Sequence, residues 1–204
     1  QNYASDDKWN EALQAVGMTE DEYKSNIKTS LLQQGLMKSF EGDDPSDEDV
    51  LSYAQTYVSS FDGAKRSSHI LFDADDTETA QSVLDQINAG TLDFAEAAKT
   101  YSPDSSGQNG GDVGWEKLNS FVNEYTAGLA DLSKGQVSGL VTSSYGIHII
   151  QCTDEFHAPD ELPSLDQLPS EFVEQFRGSL KSSNQSKVYQ QWLSDAKENA
   201  DIEI

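Results

Sequence analysis

Ser67-Ser68-His69-Ile70-Leu71-Phe72 is the stretch on which the architecture turns. It is a short, largely apolar run, bounded by a turn-like Phe61-Asp62-Gly63-Ala64 and by the acidic Asp73-Ala74-Asp75-Asp76, and it reads as a β-strand. Downstream, Gln136–Thr142 and Gly146–Thr153 read as two further strands joined by a tight turn at Ser143-Ser144-Tyr145. Asp112–Trp115 reads as a fourth, short strand. Between them lie helical patterns. Asp75-Asp76-Thr77-Glu78 starts one with Ala80, Val83, Leu84 and Ile87 on its apolar face, ended by Gly90. Asp93 starts a second, through Phe94, Ala97 and Ala98 to Tyr101. A third runs from Val122 to Leu132 with Tyr125 and Leu129 inward. The Ser/Gly-rich stretch 102–111 is expected to hold no regular element. The fold class is therefore α+β.

Outward from this centre the grammar is helical. Ser5 caps a segment with Trp9, Leu13 and Val16 on one side, stopped by Gly17. Thr19 and Glu22 form a capping box that opens a longer helix bearing Tyr23, Ile27 and Leu31, with Leu36 and Phe40 further on. Glu41-Gly42-Asp43-Asp44-Pro45 breaks it. Ser46 starts another, striped by Val50, Tyr53, Ala54, Tyr57 and Val58. After a linker punctuated by Pro159, Pro163 and Pro169, the apolar positions Phe172, Val173, Phe176, Leu180, Val188, Trp192, Leu193 and Ala196 give one long helix or a broken pair. Ile202-Glu203-Ile204 alternates like a strand. These amphipathic helices need partners, either each other or later parts of the chain. Pairing between two copies, a homodimer, is an alternative way to supply one.

Composition excludes several functions. The 204 residues carry 13 Lys+Arg against 36 Asp+Glu, a net charge of −23 spread along the length. Nucleic acid is not an expected partner, because phosphate binding needs a basic surface. Adsorption to anionic lipid is disfavoured for the same reason. The acidity reads as a solvated surface, or alternatively as steering of basic clients. The single cysteine, Cys152, excludes an internal disulfide and a cysteine-built zinc site, and its apolar neighbours make it a buried structural thiol. No metal site is expected: the run from Asp73 to Asp76 lacks the glycine and distal glutamate of an EF-hand calcium loop. No apolar run approaches the ~20 residues of a membrane span. The sequence opens at Gln1 in polar surroundings, so any export signal or membrane anchor is expected to lie outside it.

A lone strand histidine is usually a packed, hydrogen-bonded core residue. Here His69 and His148 share one module with Asp104 and a Gly110-Gly111-Asp112 turn, whereas His157 falls in the linker. The ordered motifs are Ser68-His69-Ile70-Leu71, Asp93-Phe94-Ala95, Tyr101-Ser102-Pro103-Asp104-Ser105-Ser106, Gly110-Gly111-Asp112-Val113-Gly114-Trp115, Leu132-Ser133-Lys134-Gly135-Gln136-Val137-Ser138 and Tyr145-Gly146-Ile147-His148-Ile149-Ile150. In that order and spacing, residues 66–156 resemble a parvulin-type peptidyl-prolyl cis-trans isomerase domain. The helical flanks are similar to those of PrsA-type extracytoplasmic foldases, and of the related SurA chaperones, which usually carry two parvulin modules.

That resemblance implies a four-stranded antiparallel sheet with surrounding helices, inserted between segments of a helical chaperone-like domain. Residues 1–64 and 157–204 would form the chaperone-like part, and residues 65–156 the isomerase. It implies a hydrogen-bonded pair of His69 and His148, supported by the hydroxyl of Ser143 and by Asp104, where a carboxylate suits an electrostatic role and not a covalent one. It implies a proline pocket from Val113, Phe121, Val122 and Tyr125, with Tyr145 beside it. Phe121 stands where Met or Leu is common and Tyr125 where Phe is common, so the pocket's size is expected to differ. The reaction needs no cofactor. Phosphate-specific parvulins carry a basic cluster after the first strand; the acidic run from Asp73 to Asp76 predicts no phosphate requirement. The implied clients are unfolded or partly folded polypeptides with X–Pro bonds, at an extracytoplasmic location in a bacterium: cell surface, membrane-anchored or periplasmic. The alternative is a non-catalytic, client-binding chaperone in which the parvulin module is a silent scaffold.

Overall fold

The computed structural model describes residues 6–200, so the Ser5 cap and the terminal Ile202-Glu203-Ile204 strand lie outside the described residues. The elements run α1 (Asp6–Ala15), α2 (Glu20–Lys38), α3 (Asp47–Tyr57), β1 (Ala64–Phe72), α4 (Thr77–Asn88), α5 (Phe94–Tyr101), β2 (Asp112–Trp115), α6 (Asn123–Ala130), β3 (Val141–Ser143), β4 (Gly146–Phe156) and α7 (Ser170–Asn199). The chain divides into two compact units. Residues 51–167 form one, and residues 1–50 with 168–204 form the other. Among the described residues, no helix is long and apolar enough to cross a membrane.

The sheet of the first unit has the order β2-β1-β4-β3, with every pair antiparallel. The histidine strand is thus central. β1 pairs with β4 in a register that sets His69 opposite Ile150 and Leu71 opposite His148. Side chains alternate across a strand, so this register sorts the residues onto two faces. Ile70, Phe72, Ile147 and Ile149 pack on one face with Ala80, Val83 and Leu84 of α4 and Phe94, Ala97 and Ala98 of α5. Ile150 and Cys152 pack on the other with Tyr125 and Leu129 of α6. His69, Leu71 and His148 belong to this second face. α6 is held over it by Lys65, whose ammonium donates to the carbonyls of Ala130 (2.5 Å) and Leu132 (2.7 Å) at the helix C-terminus. Cations are favoured there by the unpaired carbonyls.

Three local expectations need correction. The strand predicted over Gln136–Thr142 is ordered as β3 only over Val141–Ser143, with one isolated bridge from Val137 to Gln151. The cause is Ser138. Its hydroxyl accepts from the Ile150 amide (2.9 Å) and donates to the Gly139 carbonyl (2.6 Å), taking the place of a backbone ladder bond. The stretch 102–111 does hold a regular element, a 3₁₀ turn over Ser105–Asn109. Asp104 caps it by accepting from the Ser106 amide, and Gly110 closes it at φ 71°. Finally, α6 is shorter than the predicted 122–132.

In the helical unit, the Thr19–Glu22 capping box forms as read. Ser46 and Asp49 make an equivalent reciprocal pair ahead of α3. Trp9 of α1 meets Tyr23 of α2 edge-on, with centroids 5.0 Å apart. α7 is one continuous helix of 30 residues. It docks the acidic break after α2. Arg177 binds Asp47 (2.6 Å) and the Pro45 carbonyl (3.0 Å), Lys181 binds Asp44, and Gln185 donates to the Phe40 carbonyl (2.7 Å). Phe40 packs on Tyr189 and Trp192. The middle of α2 departs from expectation: Ile27 and Leu31 stay exposed at 44% and 62%, because α1 reaches only the first turns and the α7 contacts fall at the far end.

Candidate active site

The loop 102–111 is stitched to β1 at two points. The His69 amide donates to the Gly111 carbonyl (2.8 Å), and the Leu71 amide donates to the Ser102 hydroxyl (3.1 Å). Gly111 is required here: its φ is 80°, and a Cβ would lie 2.2 Å from the His69 carbonyl oxygen. This stitching carries Asp104 to His69, with Asp104 Oδ2 3.3 Å from His69 Nε2. Gly146 plays a similar part on β4, where a Cβ would lie 2.2 Å from the Phe72 carbonyl oxygen.

His69 and His148 lie on the same sheet face, two positions apart in register, and meet. Their Nδ1 atoms are 3.1 Å apart and the rings are nearly parallel, at 20°. Ser143, at the end of β3, sets its hydroxyl 2.7 Å from His148 Nε2 and accepts from the Tyr145 amide at 3.0 Å. Both histidines are buried, at 8% and 4% exposure.

These contacts order the hydrogen bonds around the imidazole pair. Asp104 is ionised, its carboxyl held down to about 2 by the hydroxyl and amide of Ser106 and by His69, against the opposing effect of burial. A carboxylate only accepts, so His69 Nε2 carries a proton. His148 is neutral near pH 7, because burial and the neighbouring His69 push it down to about 4. The neutral Nε2–H form of His69 has a bare Nδ1, which accepts from His148 Nδ1–H. His148 Nε2 is then bare and accepts from the Ser143 hydroxyl. The contacts run without a break from the Tyr145 amide through Ser143, His148 and His69 to Asp104.

The chain borders a cleft of about 190 Å³ lined by His69, Leu71, Asp104, Val113, Ser120, Phe121, Val122, Tyr125, Tyr145 and His148. Tyr125 stands edge-on to both imidazoles, at 5.7 and 5.6 Å. Its hydroxyl bonds Ser67 at 3.0 Å, and burial pushes its pKa up. Phe121 packs on its ring at 4.6 Å. Tyr145 is 71% exposed at the rim. The structure thus gathers every residue singled out in the sequence, with Ser143 behind the pair and not in the cleft wall. His157 is exposed and lies apart from the cleft. Two lining residues were missed. Leu71 was legible, since it follows His69 by two in a strand and so shares its face. Ser120 carries no periodic signal.

Known proteins resemble this chain in sequence. Residues 69–154 match the Rotamase family, described as a PPIC-type PPIASE domain. The foldase protein PrsA of Bacillus subtilis is 32% identical over 185 residues, 90% of this chain and 58% of that protein. The chaperone SurA of Albidiferax ferrireducens is 31% identical over 146 residues, 68% of this chain and 30% of that one. The chain therefore spans less than two thirds of the length of these relatives. Among solved structures, the crystal structure of PrsA from Bacillus subtilis gives a TM-score of 0.48 at 28% identity, covering 99% of this chain and 78% of that one. Residues 69–154 of this chain belong to the parvulin family of PPIC-type peptidyl-prolyl isomerase domains.

Proposed function

We propose that this chain catalyses cis–trans isomerisation of X–Pro peptide bonds and assists the folding of exported polypeptides at an extracytoplasmic location, without a phosphate requirement. Rotation about the amide faces a barrier of about 18–20 kcal/mol that comes from C–N resonance. No covalent bond need be made or broken. A catalyst must bind the twisted amide better than the planar one. The planar form is the more polar, so an apolar cleft disfavours it. Val113, Phe121, Val122 and Tyr125 would seat the pyrrolidine. His69 and His148, aligned by Ser143 and anchored by Asp104, would supply a polar edge beside the rotating bond, and Tyr145 would cover the rim.

The observation that carries this reading is the bonded imidazole pair bordering an apolar cleft. The test is a protease-free exchange assay on short X–Pro peptides. Wild-type protein should accelerate exchange, and His69→Ala should lower kcat/KM by at least about tenfold, in the range of a lost positioned polar group. Equal, uncatalysed rates for both, with suppression of client aggregation intact, would leave only the silent-scaffold chaperone.

The domain assignment is part of the same reading: residues 65–156 hold the isomerase, and residues 1–64 and 157–204 hold unfolded clients. A fragment spanning the whole compact unit, 51–167, should keep peptide isomerisation and lose client holding. Full holding activity in that fragment would reject the assignment.

A further inference from the structure

We propose that Ser106 is a positioning residue that fixes the Asp104 carboxylate against His69 and thereby sets the tautomers of the imidazole pair. This rests on the isomerase reading for its consequence, though not for its geometry. Asp104 Oδ2 receives three bonds: the Ser106 amide at 2.9 Å, the Ser106 hydroxyl at 2.5 Å and His69 Nε2 at 3.3 Å. The two serine bonds are the shorter, so they decide where Oδ2 sits, and His69 meets an oxygen already placed. The Asp104 side chain is 34% exposed, so burial alone does not hold it in one rotamer. A hydroxyl two residues on, in a 3₁₀ turn capped by the same carboxylate, provides that hold.

The consequence runs through the imidazoles. An ionised Oδ2 beside Nε2 requires a proton there; in the neutral imidazole that leaves Nδ1 bare, and His148 meets it in the Nδ1–H form. The groups facing Asp104 are few. His69 from β1 touches it and His148 from β4 lies behind. Tyr125 from α6 and Tyr145 from the β3–β4 turn line the same cleft, and no lysine or arginine lines it. Beside His69, Ser106 is therefore the group that holds the carboxyl charged.

The experiment compares wild type, Ser106→Ala, Ser106→Thr and, as a control in the same turn, Ser105→Ala, each checked for native fold by near-UV circular dichroism. Imidazole ¹⁵N shifts at pH 7 read the tautomers directly. In wild type, Ser106→Thr and Ser105→Ala, His69 should carry its proton on Nε2 and His148 on Nδ1. In Ser106→Ala the two shifts should move toward averaged values, the Asp104 carboxyl should titrate nearer the ordinary 3.8, and kcat/KM should fall about tenfold, the loss of one charge-assisted bond. A wild-type tautomer pattern in folded Ser106→Ala overturns the proposal. If wild-type protein does not accelerate exchange while the tautomers still respond to Ser106, the isomerase reading falls and the positioning role stands.

Discussion

His148 couples the site to stability through its proton. The unfolded chain offers an imidazole of ordinary pKa, 6.5, whereas the folded chain holds it near 4 because burial and His69 oppose a charge there. Between those values the unfolded state binds a proton that the folded state refuses, so folding stability falls as pH drops from about 6.5 toward 4. The full penalty is on the order of 3 kcal/mol. Asp104 adds a second, more acidic loss: its lowered carboxyl stabilises the fold above pH 3.8, and that contribution disappears as pH falls toward 2. His148→Gln removes only the first. Urea unfolding of both proteins at pH 7 and pH 4 should show wild type losing more stability across that interval than the variant. An identical loss in both would mean that His148 is not buried neutral.

At the scale of elements, the two glycine contacts on β1 do more for the site than any helix. Gly111→Ala forces a Cβ to 2.2 Å from the His69 carbonyl at a φ of 80°. The loop must then lift off β1, breaking the His69–Gly111 bond and withdrawing Asp104 from His69. The expected cost is about 3 kcal/mol or more in thermal or urea unfolding, and the His69–Asp104 contact should be lost in any molecule that remains folded. Gly90→Ala offers the comparison: φ is similar at 70° but nothing lies within 4 Å of the added carbon, so only backbone strain remains, about 1 kcal/mol. Equal losses for the two would remove the steric argument. This also marks what the sequence made legible. Caps such as Thr19–Glu22, and β4 with its alternating Ile147, Ile149 and His148, announce themselves through local spacing. The shortened β3 does not, because Ser138 bonds across to Ile150 and a residue's long-range partner leaves no trace in its neighbours. The 3₁₀ turn was hidden for a related reason: serine and glycine content suits a loop, and the ordering comes from Asp104. The candidate residues that gather at the cleft were readable through motif order, whereas the contacts between them depend on register between β1, β4 and β3, which no single segment specifies.

Across the whole molecule the dominant fact is charge. A net −23 over 204 residues means that folding gathers like charges, and self-repulsion opposes the compact state. The cations are used locally: Arg177 and Lys181 sit against Asp47 and Asp44, and Arg66 against Asp112. Salt weakens both kinds of interaction, but not equally. Exposed pairs of this sort contribute about 0–1 kcal/mol each, whereas the surplus of carboxylates acts along the entire surface over distances that shrink as the Debye length falls from about 30 Å at 0.01 M to about 8 Å at 0.15 M. The balance favours salt. Raising sodium chloride from 0.01 to 0.15 M at pH 7.5 should raise Tm by a few degrees, with most of the gain complete by the upper concentration. Lys181→Gln separates the terms: it deletes one attraction and leaves the repulsion, so its Tm should sit below wild type at low salt and approach it as salt increases. A wild-type Tm that falls steadily with salt would show that the ion pairs along α7 outweigh the repulsion of the acidic surface.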